Sequence, residues 1–212
     1  MRPAYSPFYA FCKFLTLALS RVFFWRSIVG REHWIDGPAI IASNHASFLD
    51  PPAVGGSCPG QIGYLARKSL LRMAFFRKVC DGLSTIPVER DAADFGSIKR
   101  ILTALKQGRK ILMFPEGERT FDGELQKPMA GVGFLVHQAG VPVIPAYVHG
   151  TFHAWPRHRA LPRPGKLVVV FGPPIRFEKQ KTGRPKRERY QEIADEVMAR
   201  IAALKPQAYS KL

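Results

Sequence analysis

Apolar positions along the chain fall into two alternating rhythms. Short continuous runs have the length of buried strands: Ala39 to Ser43, IGYLAR, LSTIPVER, KILMF, VPVIPAYV and KLVVVF. Between them lie segments whose apolar residues return at the helical period. LLRMAFFRKV is one. Phe95, Ile98, Ile101, Leu102 and Leu105 mark another, which Gly108 stops. GVGFLVHQAG is a third and ends at Gly140. Tyr190, Ile193, Val197, Ile201 and Leu204 line one side of the last. Asp36-Gly37-Pro38 reads as a turn before the first strand, and Asp91 with Asp94 resembles a capping box. Strands that alternate with helices predict an α/β fold, with a mixed, largely parallel sheet flanked by helices.

The N-terminus follows neither rhythm. YSPFYAFCKFLTLALSRVFFWRSIV is rich in aromatic and aliphatic residues, but Lys13 and Arg21 interrupt it. A spanning helix needs about 20 mostly apolar residues, and no small-residue cleavage signature marks a signal peptide. Apolar residues surround more of this helix than one buried face requires. Phe and Trp mixed with Lys and Arg predict a helix that lies in a membrane interface. The expected organisation is an apolar helical segment over residues 1–30 and one α/β domain over 31–212.

Charge sharpens this picture. Thirty-two Lys and Arg oppose sixteen Asp and Glu, a net of +16, on a chain that is 46% hydrophobic and therefore foldable. Such a surface attracts nucleic acid, anionic lipid or a phosphorylated substrate. The aromatics concentrate in the N-terminal segment, away from any nucleic-acid motif, so no nucleic-acid partner is expected. The basic stretch KQKTGRPKRER reads as a solvated loop or a headgroup contact. Cys12, Cys58 and Cys80 have no metal-ligand spacing and suit a reducing compartment.

Three polar loops follow buried runs: NHASFLD, PVER and FPEGERT. Sites in α/β sheets collect where strands end. If those strands are parallel, His45, Asp50, Arg90, Glu116 and Arg119 converge. His45 and Asp50 would lie about 140° apart on a regular helix, so they meet only where the backbone departs from one. Pro51 and Pro52 suit a helix start, with Asp50 as N-cap. A carboxylate on one imidazole nitrogen makes the other a general base. No Ser, Cys or Lys forms a nucleophile motif beside the pair, and there is no G-x-S-x-G. The nucleophile is then a substrate hydroxyl. Arg90, Arg119 and the backbone N–H groups near Gly117 suit phosphate. No H-E-x-x-H, Walker A or G-x-G-x-x-G sequence occurs, and His149 with His153 lacks a third ligand, so neither metal nor nucleotide is expected. The H-H-x-x-x-D-G spacing of condensation-type acyltransferases is also missing. The set points to acyl or phosphoryl transfer involving a lipid alcohol.

These blocks resemble the glycerolipid acyltransferases typified by bacterial 1-acylglycerol-3-phosphate acyltransferase. NHASFLD is similar to that family's N-H-x-x-x-x-D, IPVER to its second block, FPEGERT to F-P-E-G-T-R-S and VPVIPAYVHGT to its fourth, in the family's order over residues 39–151. The resemblance implies a catalytic domain over 31–212. It implies acyl transfer from a thioester co-substrate, acyl-CoA or acyl carrier protein, to a lysophospholipid hydroxyl, with no further cofactor. The implied acceptor is 1-acylglycerol-3-phosphate, giving phosphatidic acid in phospholipid biosynthesis; another lysolipid, such as lyso-ornithine lipid, stays open. By that resemblance His45 is the general base and Asp50 its partner. Arg90, Glu116, Gly117 and Arg119 shape the acceptor phosphate site, with Glu116 orienting an arginine or the loop. The implied place is the cytoplasmic face of the cell membrane, peripheral or monotopic, against anionic lipid. Glu118 departs from the family's Thr and adds a negative charge beside the anion site. Thr120 replaces Ser, and Met129 and Ala130 precede Gly131 where the family often has Lys, with Lys127 nearby.

Overall fold

Uninterrupted runs of Val, Ile and Ala form the middle of a seven-stranded sheet. The computed structural model describes residues 6–69, 74–83, 85–88, 95–178 and 186–211. It places β1 (Phe24–Val29), β2 (Ala39–Ser43), β3 (Ile62–Arg67), β4 (Ile86–Val88), β5 (Lys110–Met113), β6 (Val143–His149) and β7 (Gly165–Phe171) in the order β1-β7-β6-β2-β5-β3-β4. Strands β2 to β6 are parallel, β7 is antiparallel to β6, and β1 is parallel to β7. The sheet is mixed and largely parallel, as the alternating rhythms predicted.

Helices α1 (Pro7–Phe23), α2 (Asp50–Ser57), α3 (Ala74–Gly82), α4 (Phe95–Lys106), α5 (Ala130–Ala139), α6 (Thr151–Ala154), α7 (Lys186–Ala202) and α8 (Lys205–Tyr209) complete the fold. Side chains alternate across a strand, and β2 is buried at every position. Its Ile40 and Ala42 therefore join one core with Ile101 and Leu105 of α4, Leu135 and Val136 of α5, and Ile193, Val197 and Ile201 of α7. Its Ala39 and Ile41 join a second core with Val54 of α2, Ile62, Leu112, Ile144 and Val169. Burial on both faces explains why this strand reads as a continuous apolar run. Helix α5 ends at Gly140, whose φ of 61° frees its N–H to close on the Val136 carbonyl. Helices α5 and α7 cross so closely that a Cβ on Gly133 would strike the Tyr190 carbonyl.

The N-terminal segment differs from its expected form. Helix ends at Phe23, and residues 24–29 are a strand, with Phe24 opposite Gly165 and Val29 opposite Val170. The aromatic and β-branched sequence FWRSIV favours a pleated edge. Its apolar character continues that of α1 without a Gly or Pro between them, so the change of period is masked. Ser6 caps α1 by accepting from Tyr9 N–H at 3.1 Å, and Pro7 opens the first turn. Tyr9 is the buried residue of α1, and its hydroxyl accepts from Ile62 N–H at 3.1 Å. Lys13 donates to the Cys58 carbonyl at 2.7 Å. The rest of the helix turns Phe11, Phe14 and Val22 outward, at 60%, 69% and 76% exposure. No described helix is long and apolar enough to cross a membrane. Asp91, Asp94 and most of the basic stretch before α7 lie outside the described residues.

Candidate active site

Parallel pairing brings the carboxyl ends of β2, β5 and β6 to one edge, with Ala42 opposite both Met113 and Pro145. The chain leaves β2 through Asn44. Its side-chain amide donates to the Val148 carbonyl at 3.0 Å and accepts from Val148 N–H at 2.7 Å. One side chain thus continues the β2–β6 ladder past the last strand residue.

His45 and Asp50 do meet. Imidazole Nδ1 lies 2.8 Å from Asp50 Oδ2. The same oxygen accepts from the backbone N–H groups of Ala46 at 2.6 Å and Ser47 at 2.7 Å. The loop therefore folds back on the carboxylate before α2 begins, which overcomes the angular separation a helix would impose. Leu49, not Asp50, holds the N-cap position; Asp50 is the first helical residue and turns its carboxylate back toward the loop. Asp50 is fully buried, and its Oδ1 lacks a hydrogen-bond partner. A buried carboxylate on Nδ1 fixes the proton there and leaves Nε2 as the acceptor nitrogen. Phe114 stacks on the imidazole, with ring centroids 3.9 Å apart and planes inclined by 14°.

Glu116 acts on the same loop through its backbone. One carboxyl oxygen accepts from His45 N–H at 2.8 Å and the other from Gln126 N–H at 3.1 Å. Thr120 N–H returns to the His45 carbonyl at 2.9 Å. The loops after β2 and β5 are thereby laced together on both sides of His45. Burial pushes the Glu116 carboxyl up to about 7, against the pull of its two backbone donors; the nearby Asp50 adds to the rise. Of the two readings for Glu116, orienting a loop or an arginine, the hydrogen bonds belong to the loop. Gly117 has φ of 75°, and its N–H closes the turn on the Phe114 carbonyl at 3.0 Å. A Cβ there would run into Met129 Sδ, so Gly117 shapes the loop by having no side chain.

Arg119 lies over Phe48, its guanidinium carbon 3.5 Å from the ring centroid. Its Nη1 is buried without a hydrogen-bond partner. Burial and the neighbouring charges of Arg157 and Arg67 lower its proton affinity, while Asp50 opposes them. Arg90 lies outside the described residues, and Lys127 is exposed.

The sequence reading missed four neighbours. Asn44 and Phe114 sit inside the recognised blocks, immediately before His45 and before Pro115. Ser47 donates to the Trp155 carbonyl at 2.6 Å, tying the loop after α6 to the site. Arg157, on that loop, donates to the Arg119 carbonyl at 3.2 Å, approaches Glu118 to 3.8 Å, and lies over Phe121 at 3.8 Å. Nothing local in the sequence marks Arg157. The extra negative charge of Glu118 therefore faces an arginine.

A second feature borders the site. An apolar cavity of about 420 Å³ lies between α1 and the body of the protein, lined by Leu19, Phe23, Phe24, Pro52 and Leu167 among others. Leu49 and Trp155 also line it; one precedes Asp50 and the other receives the Ser47 hydroxyl.

Comparison with known proteins matches this arrangement to one family. A family model described as Acyltransferase matches residues 26–149. The chain is 27% identical to the 1-acyl-sn-glycerol-3-phosphate acyltransferase of Bacillus subtilis over 171 residues, 80% of this chain and 82% of that protein. It is 32% identical to the protein of the same name from Limnanthes alba over 152 residues, 70% of this chain and 53% of the relative, so the chain spans about half of that protein's length. Among solved structures, the 1-acyl-sn-glycerophosphate acyltransferase of Thermotoga maritima superposes with a TM-score of 0.75 at 22% identity, covering 92% of this chain and 79% of that one, a likeness of fold.

Proposed function

The chain belongs to the Acyltransferase family and is an enzyme, and from that premise we propose that it moves a fatty acyl group from an acyl thioester to the free hydroxyl of a lysophospholipid, 1-acylglycerol-3-phosphate, giving phosphatidic acid. The observation that carries the reading is His45, held by a buried carboxylate on Nδ1 and by Glu116 on its backbone, beside a stacked arginine with an unpartnered nitrogen.

His45 Nε2 takes the proton of the acceptor hydroxyl as its oxygen attacks the thioester carbonyl. Asp50 stabilises the imidazolium and keeps the ring in one tautomer. The tetrahedral intermediate collapses and expels the thiolate, which takes the proton from His45 and departs as a thiol. No acyl-enzyme forms, and His45 returns to its starting state. Arg119 holds the acceptor phosphate, with planar donors suited to two oxygens. The donor is acyl-CoA or acyl carrier protein, and no further cofactor takes part. The apolar cavity beside Leu49 and Trp155 receives an acyl chain, and α1 rests on the cytoplasmic surface of the bilayer with its exposed aromatics in the interface.

The test is a purified-protein assay with oleoyl-CoA and a panel of acceptors, read by product mass. The panel holds 1-oleoylglycerol-3-phosphate, 1-oleoylglycerophosphocholine and a lyso-ornithine lipid. Phosphatidic acid as the dominant product supports the proposal. Preferential acylation of the ornithine lipid would replace the acceptor and leave the reaction type standing.

A further inference from the structure

Two guanidinium groups near the site are each seated over an aromatic ring. Arg119 rests on Phe48 and Arg157 on Phe121, and Arg157 is joined to Arg119 through the latter's carbonyl. Aromatic stacking orients a guanidinium without using its N–H donors. Arg67 adds a third positive charge to the group. Asp50 and Glu118 offset part of this crowding, and a phosphate with two negative charges would offset more of it. Glu118 reaches Arg157 at 3.8 Å, longer than a hydrogen bond. Both side chains are about a third exposed, at 30% and 31%, so the pair is weak and easily exchanged.

We propose that Arg157 is a binding residue for the acceptor phosphate, and that Glu118 holds its guanidinium until the acceptor arrives. This rests on the reading of the acceptor as a phosphate-bearing lysolipid. The phosphate bridges Arg119 and Arg157, and Arg157 exchanges its 3.8 Å contact with Glu118 for a phosphate oxygen. Glu118 then sets acceptor affinity by competition for one guanidinium. The negative charge that looked misplaced beside an anion site becomes the device that keeps its second arginine in position.

The test is a double-mutant cycle on the full chain. Kinetics of Arg157→Gln, Glu118→Gln and the double variant are measured with 1-oleoylglycerol-3-phosphate and oleoyl-CoA. Arg157→Gln raises the acceptor KM by about 10-fold or more, the value of one charge-assisted hydrogen bond, with kcat and donor KM near the parent. Glu118→Gln lowers the acceptor KM several-fold. In the double variant that gain disappears. An unchanged acceptor KM in Arg157→Gln overturns the proposal, as does a fall in kcat with a rise in both KM values together, which marks a bracing role. A Glu118→Gln gain that persists without Arg157 overturns it too, since it marks direct repulsion of the acceptor. If Arg157→Gln fails to fold, Arg157→Lys, which keeps the charge but not the planar fork, must give an intermediate KM, and Glu118→Gln alone must still lower it. If the parent acylates no phosphate-bearing acceptor, the proposed function falls with this inference. If it does and the variants leave KM unmoved, this inference falls alone.

Discussion

Glu116 meets two backbone donors with a carboxyl that burial makes reluctant to ionise. Its value of about 7 lies above the ordinary 4.5. The folded protein therefore binds a proton more tightly there than the unfolded chain does. The stability this provides is fully present below about 4.5 and is lost as pH rises through 7, and it amounts to roughly 3 kcal/mol. Glu116→Gln keeps an acceptor for His45 N–H but sets an NH₂ against Gln126 N–H. Urea unfolding at pH 5 and pH 7.5 should show a larger loss in this variant at pH 5; equal losses would place the Glu116 carboxyl in the ordinary range. His45→Ala should remain folded and lose ~10²–10⁴ in kcat. Asp50→Asn should also lose turnover, because an amide nitrogen facing Nδ1 favours the wrong tautomer. A folded His45→Ala protein with near-parent turnover would remove His45 from the mechanism.

Elements show how much of this was readable beforehand. Strands β2, β5 and β6 were legible because burial on both faces demands continuous apolar runs, and His45, Asp50 and Glu116 were legible because they follow such runs. Strand β1 was not, since its partner β7 lies far from it along the chain and its apolar residues merge with those of α1. Arg157 was equally hidden, because the Ser47–Trp155 hydrogen bond that brings its loop to the site is a tertiary contact. The α5–α7 crossing gives a prediction at this scale. The neighbour of Gly133 is backbone and cannot yield. Gly133→Val should cost about 1–3 kcal/mol of stability by overpacking, read from the urea midpoint. A midpoint equal to the parent's would mean that the helices separate freely.

For the whole molecule, a charge of +16 and an outward aromatic helix act at different ranges. Charge draws the protein to anionic lipid and is screened by salt; apolar insertion is not. The protein should sediment with phosphatidylglycerol vesicles and be released only in part by 0.5 M salt. Replacing Phe11, Phe14 and Val22 together by Ser should abolish the salt-resistant fraction; if that fraction survives, α1 does not enter the bilayer. Substitution is the right tool, because truncation through residue 29 would strip β1 from the sheet. The Asn44 amide, finally, ties the site to the molecule's slowest motions. Val148 N–H donates its hydrogen bond to a side chain, yet that side chain begins the His45 loop and is anchored at the centre of the sheet. Deuterium should replace this proton only when β6 parts from β2, on the clock of global opening. In Asn44→Ala the same amide should exchange with the fast population of loops. The His45 loop would then be seen to share the core's lifetime, although it lies at the end of a strand where chains commonly fray.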